Sequence, residues 1–288
     1  MSLVSTEFQD PTEILPFEVS CVIFSFIPAE NLVNDCVLVC RFWKQISDDN
    51  TTWRLKCERT RRYMKKYMRN FEPENWKEYY YKNPYSKNLI QNPNLSDAFP
   101  NILVDKRQGL YGWHGYGNLS EDQWHAQFKP WQMMNIGGDG IQLEYPPIGC
   151  GPVPNGDLGC LATSFGPTKR CQVIDLMAEG VTKYIMDECK LPIYVCEWFN
   201  NRYDCGVKYV LKVSLLDSKR NKISDCKVKF ENERPRGEHE WEKFEHTFRN
   251  YPPGVRFINF KDYGKDTSHW AGYYGAKLAG ATVRFLLE

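Results

Sequence analysis

The segment HWAGYYG sets four rings, those of His269, Trp270, Tyr273 and Tyr274, among alanine and glycine alone. Flat rings on a small-residue loop suit the recognition of planar or ring-shaped ligands, and the same rings in a β-rich interior would be core. Upstream, NNRYDCG places Arg202 and Asp204 on either side of Tyr203. A guanidinium and a carboxylate so placed either bind hydroxyl groups or pair with each other across a turn. Phe165, after Thr-Ser and before Gly-Pro, sits in an expected loop as a buried anchor or a ligand contact. Nucleophilic chemistry would have to draw on one of eleven cysteines with His239 or His246. Cys205 adjoins Asp204, an acid that raises a thiol's pKa and so works against such a role. The cysteine count is odd and no Cys-x-x-Cys pair occurs, which favours neither a full disulfide set nor zinc; no metal and no cofactor is expected.

With 37 basic against 36 acidic residues, the net charge of +1 gives no global field to attract nucleic acid or an acidic membrane surface. The run from Arg54 to Arg69 holds eight basic residues against Glu58 alone. It reads as a solvated helix face or, alternatively, as a nucleic-acid or lipid contact. The N-terminal residues lack a basic start followed by an apolar core, and the greasiest stretch, VSCVIFSFIP, is too short to span a bilayer. These features predict a cytoplasmic protein with reduced thiols and no membrane insertion, in which the sequons at Asn50, Asn94 and Asn118 are accidental.

Two textures position these residues. After a leader of residues 1–12, Leu15, Val19, Val22, Ile23, Phe26 and Ile27 recur at helical spacing. Pro28 interrupts the period, and Leu32, Val33, Cys36, Val37 and Cys40 resume it before Trp43, Ile46 and Trp53, which predicts three short helices by residue 55. From Phe71 to Pro100 prolines and asparagines break the pattern into a connector. Beyond about residue 105 the period shifts from 3.6 toward 2: Val207, Tyr209, Leu211, Val213 and Leu215 alternate with Lys208, Lys212 and Ser214 as in a half-buried strand. VRFINF from Val255 and TVRFLL from Thr282 read the same way, and a short helix is expected between Val181 and Glu188. The C-terminal two-thirds therefore predicts a β-sandwich or barrel.

The N-terminal segment resembles an F-box. Leu15-Pro16, Ile23-Phe24-Ser25 with Ile27-Pro28, Leu32, Cys36-x-Leu38-Val39-Cys40, Trp43-Lys44 and Trp53-Arg54 carry the likeness. From about residue 88 to 287 the chain is similar to the F-box-associated domain of the sugar-recognising F-box proteins. The matching runs are Asn88-Leu89-Ile90, Thr163-Ser164-Phe165, Cys171-Gln172-Val173-Ile174-Asp175-Leu176, Trp198, Asp204-Cys205-Gly206, Gly254-Val255-Arg256-Phe257, and Asp266-Thr267 with Trp270-Ala271-Gly272 and Tyr274-Gly275.

The resemblance implies an α+β multidomain chain: a small all-α F-box at residues 13–58, a linker at 59–87, and an all-β antiparallel sandwich of galactose-binding-like type at 88–288. It also implies a non-catalytic substrate receptor of a Skp–cullin–F-box ubiquitin ligase. Leu15, Pro16, Val19, Ile23, Phe24, Leu32 and Trp43 would meet the Skp-type adaptor, and through it the cullin and RING subunits. Phe165, Arg202, Tyr203, Asp204, His269 and Trp270 would take the chitobiose core of a high-mannose glycan on a misfolded glycoprotein. The chain departs from the glycan-binding pattern at His269, where those members carry tyrosine. With Ala271 this leaves a protein target without a glycan as the alternative.

Overall fold

The computed structural model describes residues 15–60, 62–63, 72–94 and 128–287. The leader, most of the basic run beyond Thr60, and the sequon at Asn118 lie outside these. The chain divides into two units, Met1–Asn83 and Pro84–Glu288.

In the first unit, α1 (Phe17–Phe24) begins after Pro16 and carries Glu18 in its first turn, favourable to the helix dipole. Pro28 keeps the preceding residue out of helical geometry, so the apolar period that runs on to Ile27 outlasts the helix. The chain resumes as α2 (Ala29–Asn31), a π-helical turn (Leu32–Cys36) and α3 (Val37–Val39). Next come α4 (Arg41–Asp48), whose first turn is capped by the Cys40 sulfur on the Trp43 amide, and α5 (Asn50–Arg59), capped by Asp49 on the Thr51 amide. The segment α6 (Trp76–Lys82), expected as part of a linker, belongs to this unit: Trp76, Tyr79 and Tyr80 are buried. Asn50 anchors it by donating to the Glu74 carbonyl at 3.0 Å and accepting from the Trp76 amide at 3.0 Å. The core is Cys21, Phe24, Leu32, Cys36, Ile46, Trp53 and Cys57.

The basic residues described here serve the fold. Lys56 is buried and caps the end of α1, donating to the carbonyls of Ser25, at 3.4 Å, and Ile27. Arg59 donates to Ser25 Oγ at 3.0 Å and lies over the Phe26 ring, while Arg62 donates to the Tyr80 carbonyl at 2.7 Å.

The second unit is a sandwich of two five-stranded antiparallel sheets, β1-β4-β9-β6-β7 and β2-β3-β10-β5-β8. The strands are β1 (Gln132–Ile136), β2 (Ile141–Glu144), β3 (Cys160–Thr163), β4 (Thr168–Asp175), β5 (Ile193–Asn200), β6 (Val207–Leu216), β7 (Lys222–Arg234), β8 (Glu242–Phe248), β9 (Phe257–Asp266) and β10 (Lys277–Phe285). The expected alternation in β6 is present, with Val207, Tyr209, Leu211, Val213 and Leu215 buried. The expected short helix is a π-helical turn, Ile185–Cys189. Phe199 of β5 stacks on Tyr209 of β6 at 4.3 Å between ring centres, joining the sheets. Beside them Arg170 of β4 is fully buried between Asp262 of β9, at 2.6 Å, and Glu197 of β5, at 2.9 Å.

Candidate functional site at the loop end of the sandwich

β9 ends at Asp266, paired with Val207 at the start of β6, so the loops before β6 and after β9 emerge side by side. Backbone bonds tie them: the Thr267 amide donates to the Gly206 carbonyl at 2.9 Å, and the Gly206 amide donates to Ser268 Oγ at 2.7 Å. The Asp266 amide donates to the Ser164 carbonyl at 2.9 Å, and the Gly275 amide to the Thr163 carbonyl at 2.8 Å. The loop bearing Phe165 is thereby fixed against both stems of the loop bearing His269 and Trp270.

The turn Gly137-Gly138-Asp139 supports this cluster from the β1–β2 side. Gly138 has φ +64°, and a Cβ there would come within 2.3 Å of Ser164 Oγ and 3.0 Å of the Phe165 ring, so only glycine lets the two loops approach. Asp139 accepts from the Gly272 amide at 2.6 Å and so holds the far arm of the aromatic loop. Gly272 is itself left-handed at φ +78°, with Tyr274 folded against it.

Trp270 is 86% exposed, which removes the core reading of this residue. His269 sits against Tyr274 at 5.2 Å between ring centres, and its Nδ1 lies 3.3 Å from the Asp266 carboxylate. The Arg202 guanidinium lies 5.0 Å from the Tyr274 ring centre and 5.7 Å from that of Tyr203, which is exposed. Its Nε stands 2.8 Å from Asp204 Oδ1 without hydrogen-bond geometry, so the contact is a half-exposed ion pair. Such a pair contributes no more than about 1 kcal/mol to folding. Partial burial pushes the Asp204 carboxyl up, but donation by the Cys205 thiol and its own backbone amide, with Arg202 nearby, brings it below the usual range. Arg202 and Asp204 therefore stand charged beside exposed rings. The Tyr203 amide donates to the Gly149 carbonyl at 3.0 Å, and Glu144, paired with buried Lys277, accepts from the Ile148 amide at 2.7 Å. The loop carrying Arg202 is thus braced from β2.

The structure gathers at one end of the sandwich all six loop residues that the sequence nominated. Sequence reasoning missed Asp139 and Ser268 and named Asp266 only for the family resemblance, whereas all three aim the loops. Gly137-Gly138-Asp139-Gly140 was readable as a turn, but its partner was not.

At the other candidate surface, Leu15, Pro16, Val19 and Ile23 are exposed, and Trp43 is half-buried edge-on to Phe24 at 5.0 Å. Phe24 and Leu32 are buried in the first unit, beneath that exposed set. Val22, Phe26, Leu38 and Val39 are exposed alongside.

Thiol catalysis finds no support in the geometry. Burial pushes the thiols of Cys57 and Cys150 up to about 12 and about 11, and burial with Asp204 pushes Cys205 up to about 12, the reverse of what a nucleophile needs. Among the described residues no three or more His, Cys, Asp or Glu side chains are placed to hold a metal, and no helix is long and apolar enough to cross a membrane.

A family model described as the F-box associated region matches residues 80–285, and one described as F-box-like matches residues 12–59. The chain belongs to the F-box proteins with an F-box-associated region. It is similar to human F-box only protein 44, 29% identical over 270 residues covering 93% of this chain and 94% of that protein. It is also similar to mouse F-box only protein 6, 30% identical and covering 93% and 81%, and to bovine F-box only protein 2, 30% identical and covering 93% and 82%. F-box only proteins are non-catalytic substrate adaptors, and this chain is one of that family and not an enzyme.

Proposed function

We propose that this F-box protein acts in the cytoplasm as the substrate-recognition subunit of a Skp–cullin–F-box ubiquitin ligase, and that its loop end binds the chitobiose core of N-linked high-mannose glycans on misfolded glycoproteins. The reading rests most on Trp270, an indole 86% exposed on a loop tied down at both stems. An immobilised apolar plate beside charged Arg202 and Asp204 meets both needs of a pyranose, stacking on its C–H face and hydrogen bonding at its hydroxyl rim. Two ring faces each covering about 80 Å² at ~25 cal/mol per Å² supply about 4 kcal/mol, so stacking alone gives roughly millimolar binding and the polar groups must add the rest. The first unit then docks to the Skp-type adaptor through Leu15, Pro16, Val19 and Ile23, and the ligase gains rate by holding the target near the charged enzyme. Glycoproteins extracted from the secretory pathway, with the inner chitobiose uncovered by unfolding, are the targets this chemistry selects.

The test is titration of the full chain with N,N'-diacetylchitobiose followed by tryptophan fluorescence, alongside Trp270→Ala. Saturable binding that the variant lacks supports the reading. A folded protein silent up to roughly ten millimolar sugar, well past the affinity stacking alone would give, overturns the glycan half. A second reading keeps the ligase and replaces the glycan with a protein surface. It is favoured by the engagement of His269 with Asp266 and Tyr274, which leaves Trp270 as the fully presented plate.

A further inference from the structure

The near-neutral chain conceals a strongly basic face. On the outer side of the β1-β4-β9-β6-β7 sheet, Lys261 of β9 stands opposite Lys212 of β6, which stands opposite Lys229 of β7. Adjacent strands lie ~4.8 Å apart, so three ammonium stems share about 10 Å of one row. Lys265 and Lys208 face each other in the same way nearer the loop end. Directly opposed like charges destabilise a sheet, so folding does not account for the row. Glu231 pairs with Lys208 at 2.7 Å and with Lys229, and Glu233 lies 3.9 Å from Lys208. Lys169, Lys212 and Lys261 have no carboxylate within ion-pair distance among the described residues. Asp262 turns its carboxylate inward to Arg170 and offers the face nothing.

Lys169, Lys208, Lys212, Lys229 and Lys261, with Glu231 among them, rim a depression of about 330 Å³. Val210, buried, and Tyr263 line it, Met134 borders it, and the Lys169 ammonium lies 5.9 Å from the Tyr263 ring centre. We infer that this face docks an acidic peptide segment of a partner protein, carboxylates against the lysine row and an apolar side chain over Val210 and Tyr263. Charge complementarity sets the sign of the partner. The absence of arginine from the lining, apart from inward-turned Arg170, separates a carboxylate partner from phosphate or nucleic acid, for which the forked guanidinium is the usual donor. An extended peptide repeats same-side residues every ~6.6 Å, so alternate carboxylates reach separate lysines. The site lies on a sheet face, apart from the loop end, and does not depend on a glycan.

The experiment uses fluorescence anisotropy of the full chain with a labelled peptide Glu-Glu-Leu-Glu-Glu-Leu-Glu-Glu, its all-Gln counterpart and a single-stranded oligonucleotide, at low and at moderate salt. Binding of the Glu peptide is expected, falling steeply with salt as the charges are screened. The double variant Lys212→Glu, Lys261→Glu, both solvent-facing and checked for an unchanged Tm, should weaken it at least about tenfold, the scale of two lost charge-assisted contacts. Trp270→Ala should leave it unchanged. Equal binding of the Gln peptide, indifference to the double variant, preference for the oligonucleotide, or no binding of any probe at low salt would each overturn the inference.

Discussion

The Asp266 carboxylate accepts from the His269 amide at 3.1 Å and from the Ser268 amide at 2.6 Å, turning the chain sharply one residue before Trp270. This last residue of β9 is buried and pinned by Val207, so it transmits the rigidity of the sheet to an exposed ring. Asp266→Ala frees two amides and lets the indole wander. The cost to stability is that of a lost cap, about 1 kcal/mol, whereas chitobiose affinity should fall roughly tenfold because the plate must be ordered on binding. Hydrogen exchange of residues 267–272 checks it: faster exchange confined to that loop is expected, and unchanged exchange would show that Asp139 and Ser268 hold the loop unaided.

Between the sheets, Arg170 faces two carboxylates with one positive charge. Burial, followed by the negative charge of Asp262, raises Glu197 well above the usual carboxylate range, so Glu197 holds a proton and Asp262 neutralises Arg170. The Tyr209 hydroxyl donates to Glu197 at 2.7 Å and can turn to accept instead. Glu197→Gln should therefore cost under about 1.5 kcal/mol, whereas Asp262→Asn leaves a buried guanidinium uncompensated and should cost about 3–5 kcal/mol. A folded pKa above the unfolded one stabilises below the unfolded value and is lost as pH rises through the folded value. Wild type should accordingly lose stability toward alkaline pH relative to Glu197→Gln. Chemical denaturation of the three proteins across pH reads both effects, and equal costs for the two substitutions would refute the assignment of the proton.

The helical stripe around Leu15 to Ile27 and the alternation in β6 were legible because one face of each is apolar. β7 was passed over although its period is present: Cys226, Val228 and Phe230 alternate with Lys227, Lys229 and Glu231, charges that also guard this edge strand against stray pairing, but its inward residues are mostly only half-buried and make a weaker apolar stripe than those of β6. The rings of the candidate site could be named from the sequence, but whether Trp270 was plate or core could not, since both use the same residue. The row Lys261, Lys212, Lys229 is a product of register, joining residues far apart in the chain, and no local spacing announces it; the Asp266 clamp is local, reaching amides two and three residues on, but its anchoring opposite Val207 again comes from register.

The first unit separates contact from support. Val19 and Ile23 lie one turn apart on the exposed face of α1, while Phe24, on the opposite side, packs against Trp43 at 5.0 Å. Val19→Asp with Ile23→Asp adds charge to a solvent-facing stripe and should change stability by less than about 1 kcal/mol, yet abolish co-purification with the Skp-type adaptor by burying unpaired carboxylates in the interface. Phe24→Ala instead opens a cavity and should cost about 3–5 kcal/mol, with adaptor binding falling only as the fold is lost. Thermal melting and adaptor pull-down on the same samples separate the two. Retained adaptor binding by the folded double-aspartate variant would place the docking surface elsewhere, on the exposed Leu38 and Val39 beyond the π-helical turn.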